Sequence, residues 1–134
     1  MSKMTKSELR DIIETFLPIR RDDDGDYVTI LNKDEDFGHD VLVFFVLNED
    51  GDRLQMYSMT DLEVSDERKG LVFCNKWNTE KAYGQAYCKD RALCMTFTLN
   101  EPAKVPRDYL KDDFAKLSMA IIWQFYKEAG KEFE

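Results

Sequence analysis

The chain has 134 residues, enough for one domain with a core of its own and no covalent staples. Apolar residues make up 43% and charged residues 34%, the balance of a globular chain rather than a disordered one. Its 27 acidic and 19 basic residues give a net charge of −8, which repels phosphate; the basic pair Arg20-Arg21 runs straight into Asp22, Asp23 and Asp24, so nucleic acid is a poor partner.

The opening residues lack the apolar core of a signal peptide, and the longest apolar run, Val41 to Leu47, is far too short to cross a bilayer. Three cysteines, Cys74, Cys88 and Cys94, are an odd set for a disulfide framework and point to a reducing cytoplasm. No repeat, low-complexity tract or linker appears, so residues 1–134 are read as a single domain.

Leu9, Ile12, Ile13 and Phe16 recur at helical spacing, which predicts a first helix from Ser7 to Phe16, closed by Leu17-Pro18. The acidic loop Asp22 to Asp26 leads into a strand from Tyr27 to Asn32. Val41 to Leu47 reads as a second strand, apolar on both faces. The Asp50-Gly51 turn returns the chain through a third strand, Leu54 to Thr60. Ser65 to Asn78 is a second helix, with Asp66 and Glu67 suited to its positive end. Its apolar stripe is read as Leu71 and Cys74, shared with the amides Asn75 and Asn78.

Ala82 to Cys88 and Leu93 to Leu99 form a hairpin around Lys89-Asp90-Arg91. A two-residue turn there pairs Cys88 with Leu93 and puts Cys88 and Cys94 on opposite faces; a looser turn opposes them. A last helix starts near Pro106 with the stripe Leu110, Phe114, Leu117, Ile121 and Phe125, broadened by Ala120, Trp123 and Tyr126. The elements make an α+β fold: an antiparallel five-stranded sheet with helices, in the order α-β-β-β-α-β-β-α.

Little in the sequence carries chemistry. Gly25 as the sixth position of a calcium loop would place its anchors at Arg20 and Leu31, where carboxylates are needed. His39 is the only histidine, which removes most metal and acid–base constellations, and no histidine neighbours a cysteine in the chain. No phosphate loop, nucleophile elbow or metal spacing is present, so no catalytic residue, metal ligand or cofactor is assigned.

The stretch Phe73-Cys74-Asn75-Lys76-Trp77-Asn78-Thr79-Glu80-Lys81-Ala82-Tyr83, set in this element order, resembles the YbjN-like family of bacterial proteins, labelled sensory transduction regulators. The shared feature is an Asn-x-x-Asn element closing the middle helix before an aromatic strand and hairpin. The resemblance implies a type III secretion chaperone-like fold, and no catalytic residues come with it.

Two roles are open to the residues that carry it. Asn78 terminates the helix while Asn75 ties helix to sheet by bonding backbone groups. Alternatively Asn75, Trp77 and Asn78 line a recognition cleft, extended by Tyr83 and Tyr87. The leading functional expectation is a non-enzymatic cytoplasmic protein-interaction or regulatory module, binding a protein partner as chaperones do. The competing one is a small-ligand sensor, its pocket walled by Trp77, Tyr83 and Tyr87 between sheet and helices. Surplus apolar surface on the second strand and at Trp123 and Tyr126 further predicts a homodimer.

Overall fold

The computed structural model describes residues 3–22, 25–81 and 84–134. It is α+β, with three helices and one antiparallel sheet. Along the chain lie α1 (Lys6–Ile13), β1 (Arg20–Arg21), β2 (Tyr27–Leu31), β3 (Val41–Leu47), β4 (Arg53–Thr60), α2 (Glu67–Glu80), β5 (Gln85–Lys89), β6 (Ala92–Asn100) and α3 (Leu117–Phe133). The sheet has six strands in the order β1-β2-β3-β4-β6-β5, not five. The extra strand is β1, whose Arg20 and Arg21 pair with Val28 and Tyr27. Two residues are too few for any alternating pattern, which is why the sequence reads them as loop.

Local chemistry sets the ends of these elements. Thr5 and Glu8 close a reciprocal capping box on α1, and the Asp66 side chain accepts the Arg68 amide at the start of α2. Asn48 holds the β3–β4 turn by accepting the amides of Asp52 and Arg53, both at 3.0 Å. At the β5–β6 turn Asp90 and Arg91 both adopt positive φ, 53° and 66°, the pattern of a two-residue hairpin turn. Cys88 therefore pairs with Leu93 and Tyr87 with Cys94, leaving Cys88 and Cys94 on opposite faces.

Side chains alternate across a strand, so one face of this sheet receives all the helices. That face carries Val41, Val43, Phe45 and Leu47 of β3, Leu54 and Met56 of β4, and Leu93 and Met95 of β6, all buried. Leu9, Ile12 and Ile13 of α1 and Ile122, Phe125 and Ala129 of α3 complete the core. Gly70 lets α2 close on β5: a Cβ there would stand 2.6 Å from the Cys88 sulfur. The buried side of α2 is accordingly Gly70, Cys74 and Trp77, while Leu71 is 45% exposed. Of the expected stripe Cys74 is buried, but Leu71 and Asn75 are turned away, because the closest approach belongs to a glycine, which carries no hydrophobic signal.

The last helix departs from its expected stripe for a different reason. Residues Tyr109–Lys116 wind in wide turns, with roughly one residue more per turn than an α-helix, before α3 begins. The phase of the buried side shifts across them. Leu110, Phe114 and Ala115 face inward, followed by Ser118, Met119 and Ile122, and Leu117 swings out to 49% exposed.

Tyr126 is wholly buried, and its hydroxyl reaches across to the seam between β4 and β6. It donates to the Leu93 carbonyl at 3.1 Å and meets the Ser58 hydroxyl at 3.0 Å. Ser58 Oγ in turn accepts the Met95 amide at 3.2 Å and lies 2.9 Å from the Met95 carbonyl. Burial pushes the Tyr126 phenol well above its ordinary pKa, so it remains a neutral donor. Replacing Tyr126 with Phe removes the donor while keeping the ring. We expect a loss of about 1–2 kcal/mol in urea unfolding, with an unchanged denaturant slope; an unaltered midpoint would show the network to be energetically idle.

Candidate functional site

The asparagines exchange the roles expected of them. The Asn78 side chain donates to the Ala86 carbonyl at 2.9 Å and accepts the Ala86 amide at 2.8 Å. It thereby occupies the outward-facing backbone groups of β5 as a neighbouring strand would. Asn75 is exposed, and only its backbone carbonyl is engaged, by the Thr79 hydroxyl. Asn78 thus ties helix to sheet, and α2 runs on to Glu80, capped at Lys81. The three-residue step from Asn75 to Asn78 turns the side chain by about 60°, enough to separate the residue beside β5 from one facing outward.

Trp77 is 5% exposed, edge-on to Phe125, with the Lys81 ammonium 5.6 Å from its ring centre. Its indole Nε1 is buried and has no hydrogen-bond acceptor among the described residues. Trp77 also lines an open groove of about 850 Å³ between α2 and the end of α3, with Val72, Phe73 and Phe133 as apolar wall. The rim mixes Arg68, Lys69, Lys76 and Lys131 with Asp66, Glu80, Glu128 and Glu132, so it has no net sign.

Tyr87 is on the other side of the sheet, paired with Cys94. The pocket expected from Trp77, Tyr83 and Tyr87 is therefore not assembled: Trp77 belongs to the helix side, Tyr87 to the opposite side, and Tyr83 lies outside the described residues. The dimer surface expected at Trp123 and Tyr126 is corrected as well. Tyr126 is core, and Trp123 is half-buried edge-on to Phe37.

Among the described residues no helix lies over the face carrying Tyr87. One row across β2, β3, β4, β6 and β5 runs Val28, Phe44, Tyr57, Thr96, Gln85; the next runs Ile30, Leu42, Met59. Ile30 is 39% and Met59 45% exposed, and none of Val28, Leu42, Phe44, Val46 or Tyr57 belongs to the core. With strands about 4.8 Å apart and about 3.4 Å of rise per residue, the face covers roughly 600 Å². Its apolar part, carried by β2, β3 and β4, is roughly half of that, and contiguous apolar patches of a few hundred Å² often mark interaction sites.

A hollow of about 430 Å³ lies at one end of this face, between Leu42, Met59 and His39. His39 bonds Asp61 through Nδ1 at 2.5 Å and Glu134 through Nε2, and its ring lies 5.1 Å from that of Phe37. It joins the start of β3, the end of β4 and the end of α3, contacts between residues distant in the chain that no sequence pattern announces. The hydrogen bond that the ring donates to Glu134, then the one to Asp61, raise its pKa above 6.5 against the opposing effect of burial. Thiol chemistry is suppressed throughout: burial raises Cys74 to about 12 and lifts Cys88 and Cys94 as well. Among the described residues no three His, Cys, Asp or Glu side chains are grouped to hold a metal ion, and no helix is long and apolar enough to cross a membrane.

No protein-family model matches the chain, and no curated protein matches it either.

Two outcomes follow from this geometry. Asn78→Ala leaves the Ala86 amide and carbonyl unpaired and should cost about 1–2 kcal/mol in thermal or urea unfolding, against less than about 0.5 kcal/mol for Asn75→Ala. Equal effects from the two would dissolve the distinction. His39, with a folded pKa above its unfolded value of 6.5, adds stability that is fully present below pH 6.5 and fades as pH rises through the folded value. The stability gap between the wild type and His39→Gln, followed from about pH 5 to 9, should shrink on the alkaline side. A gap independent of pH would refute the linkage.

Proposed function

We propose that the protein is a non-enzymatic protein-interaction module, and that the helix-free sheet face is where it holds a protein partner. The observation that carries this reading is that face itself: apolar residues from β2, β3 and β4 in continuous rows, left outside the core. Suppressed thiols and a histidine engaged by two carboxylates fit a binding role better than a catalytic one. The YbjN-like and secretion-chaperone-like identity is part of the same proposal. Its support is the Asn75–Asn78 element and an element order that agrees with that fold once the two-residue β1 is set aside. A regulatory or chaperone-like task in the cytoplasm is the biology this reading implies.

A second reading, small-ligand sensing, has one observation in its favour. The unpaired indole N–H of Trp77 belongs to a residue that lines the groove between α2 and α3.

A photo-reactive amino acid placed at Met59 or Ile30 should crosslink a discrete protein in cells, whereas one at Leu117, exposed on the helical side, should not. The Phe44→Glu substitution should abolish the crosslink and leave the melting temperature within a few degrees, about the shift of a 1 kcal/mol change. Native mass spectrometry showing a tightly retained metabolite, with no face-dependent crosslink, would overturn the interaction reading in favour of the sensor.

A further inference from the structure

We infer that the partner segment docked on the uncovered face is an acidic amphipathic helix; the inference rests on the reading above that this face is the binding surface. Every charged side chain that the strands present on it is a cation. Arg20 sits at the β1 edge opposite Val28, Arg53 at one end of β4 opposite Asn100, and Lys89 on β5 opposite Ala92. No strand residue on this face is an Asp or Glu, although acids outnumber bases by 27 to 19 in the whole chain. Among the described residues none of the three cations forms an ion pair with a carboxylate. Cations on three sides of an apolar centre, unpaired on an acidic protein, complement a partner with an apolar stripe between acidic flanks. Carboxylates enter only past the end of β4: Glu63, bridged to Ala92 in the Lys89 row and paired with Arg91, and Asp61, which with Asp40 flanks the His39 hollow.

The shape of the sheet excludes an extended partner. A strand adds to a sheet through an open edge. At β5 the outward groups of Ala86 are already taken by Asn78, and at the other edge β1 is two residues long. The partner must lie over the face. Five inter-strand gaps of about 4.8 Å make the face about 24 Å wide, and β3 is about as long. A helix rising 1.5 Å per residue spans that distance in about 16 residues. Its period then places apolar residues on Phe44, Leu42 and Met59 and acidic ones at the rim.

A second copy of the chain fits less well. Face-to-face stacking would bury about 1,200 Å² in total, the lower limit for a specific complex. The strand-borne charges on the face share one sign, so a twofold pairing gives Arg20, Arg53 and Lys89 no strand-borne carboxylate to meet.

The test is a display library of helix-forming peptides of about 16 residues, with charge randomised beside a fixed apolar stripe, selected on the full chain. Phe44→Glu serves as counter-target, with Met59→Glu as a second one in case the first fails to fold; Met59 is the more exposed of the two. Selected peptides should be rich in Asp and Glu and should not bind the counter-target. Their affinity should fall about tenfold in an Arg53→Glu, Lys89→Glu double variant and weaken as salt rises from about 0.05 to about 0.5 M. Neutral or basic peptides that still depend on Phe44 would overturn the acidic-helix inference and leave the docking face standing. Enrichment indifferent to the counter-target, or no enrichment, would overturn both. A concentration-dependent dimer abolished by Phe44→Glu would give the face to a second copy. Tight binding of single-stranded oligonucleotide there would give it to nucleic acid, and either result overturns the inference.

Discussion

The hydrogen bonds that Tyr126 makes at the β4–β6 seam decide which way the sheet faces. β3 is apolar at every position from Val41 to Leu47, so its own sequence hardly distinguishes one face from the other. Slipping its register by one residue would exchange Val41, Val43 and Phe45 for Leu42, Phe44 and Val46 at almost no hydrophobic cost. The choice is made next door. Ser58 faces the helices, fully buried, because only there does its hydroxyl meet Tyr126 and the Met95 backbone. With Ser58 inward, Arg53, Gln55 and Tyr57 point outward, and β3 follows through its pairing with β4. On β3 apolar burial cannot choose; the buried polar contact chooses together with the alternation of Leu54 and Met56 on β4 and Leu93 and Met95 on β6.

That choice divides the molecule into two unlike sides. The helical side has an aromatic core, with Phe125 in contact with Phe73, Trp77 and Tyr126, and a groove bordered by charges of both signs. The other side is a bare sheet, apolar at its centre, and the charges its strands present are all cationic. His39 connects the two, since Glu134 follows Phe133 in the groove wall and bonds the histidine at the far end of the sheet. The geometry of the groove wall is thereby joined to the rim of the bare face through one imidazole.

The sequence made the strands legible wherever their pattern was long enough. β3 was read to its final residue, β4 to within one, and Leu93 and Met95 of β6 were placed correctly on the buried face. The Asp90-Arg91 turn was one of two alternatives, and local turn geometry selected it. What escaped reading was set by contacts or backbone that leave no periodic trace. β1 exists only by pairing with β2. The wide turns at Tyr109–Lys116 re-phase the last helix, so a stripe drawn at constant pitch sends Tyr126 to the surface and Leu117 to the core, the reverse of what occurs. The Asn75–Asn78 pair was recognised as important, but the helix phase that gives the clamp to Asn78 depends on Gly70, whose contribution is the lack of a side chain. The bare face was half visible: the two-sided apolarity of β3 announced it, while the single sign of its strand-borne charges emerges only when six strands are laid side by side.

The strand order carries a kinetic meaning. Neighbours in β1-β2-β3-β4 are joined by connections of at most nine residues, and β5 and β6 by a two-residue turn, so each group can pair locally. The β4–β6 pairing alone must bring together residues as distant as Ser58 and Met95, 37 positions apart. Closing a loop of that length costs roughly 1.5 kcal/mol more than closing a hairpin of about six residues. The chain is therefore two quickly formed pieces sewn together late, and the stitches are the hydroxyls of Ser58 and Tyr126. Because that closure entropy is spent before the contact rewards it, the one long-range strand pairing is the step on which the folding of the whole sheet waits.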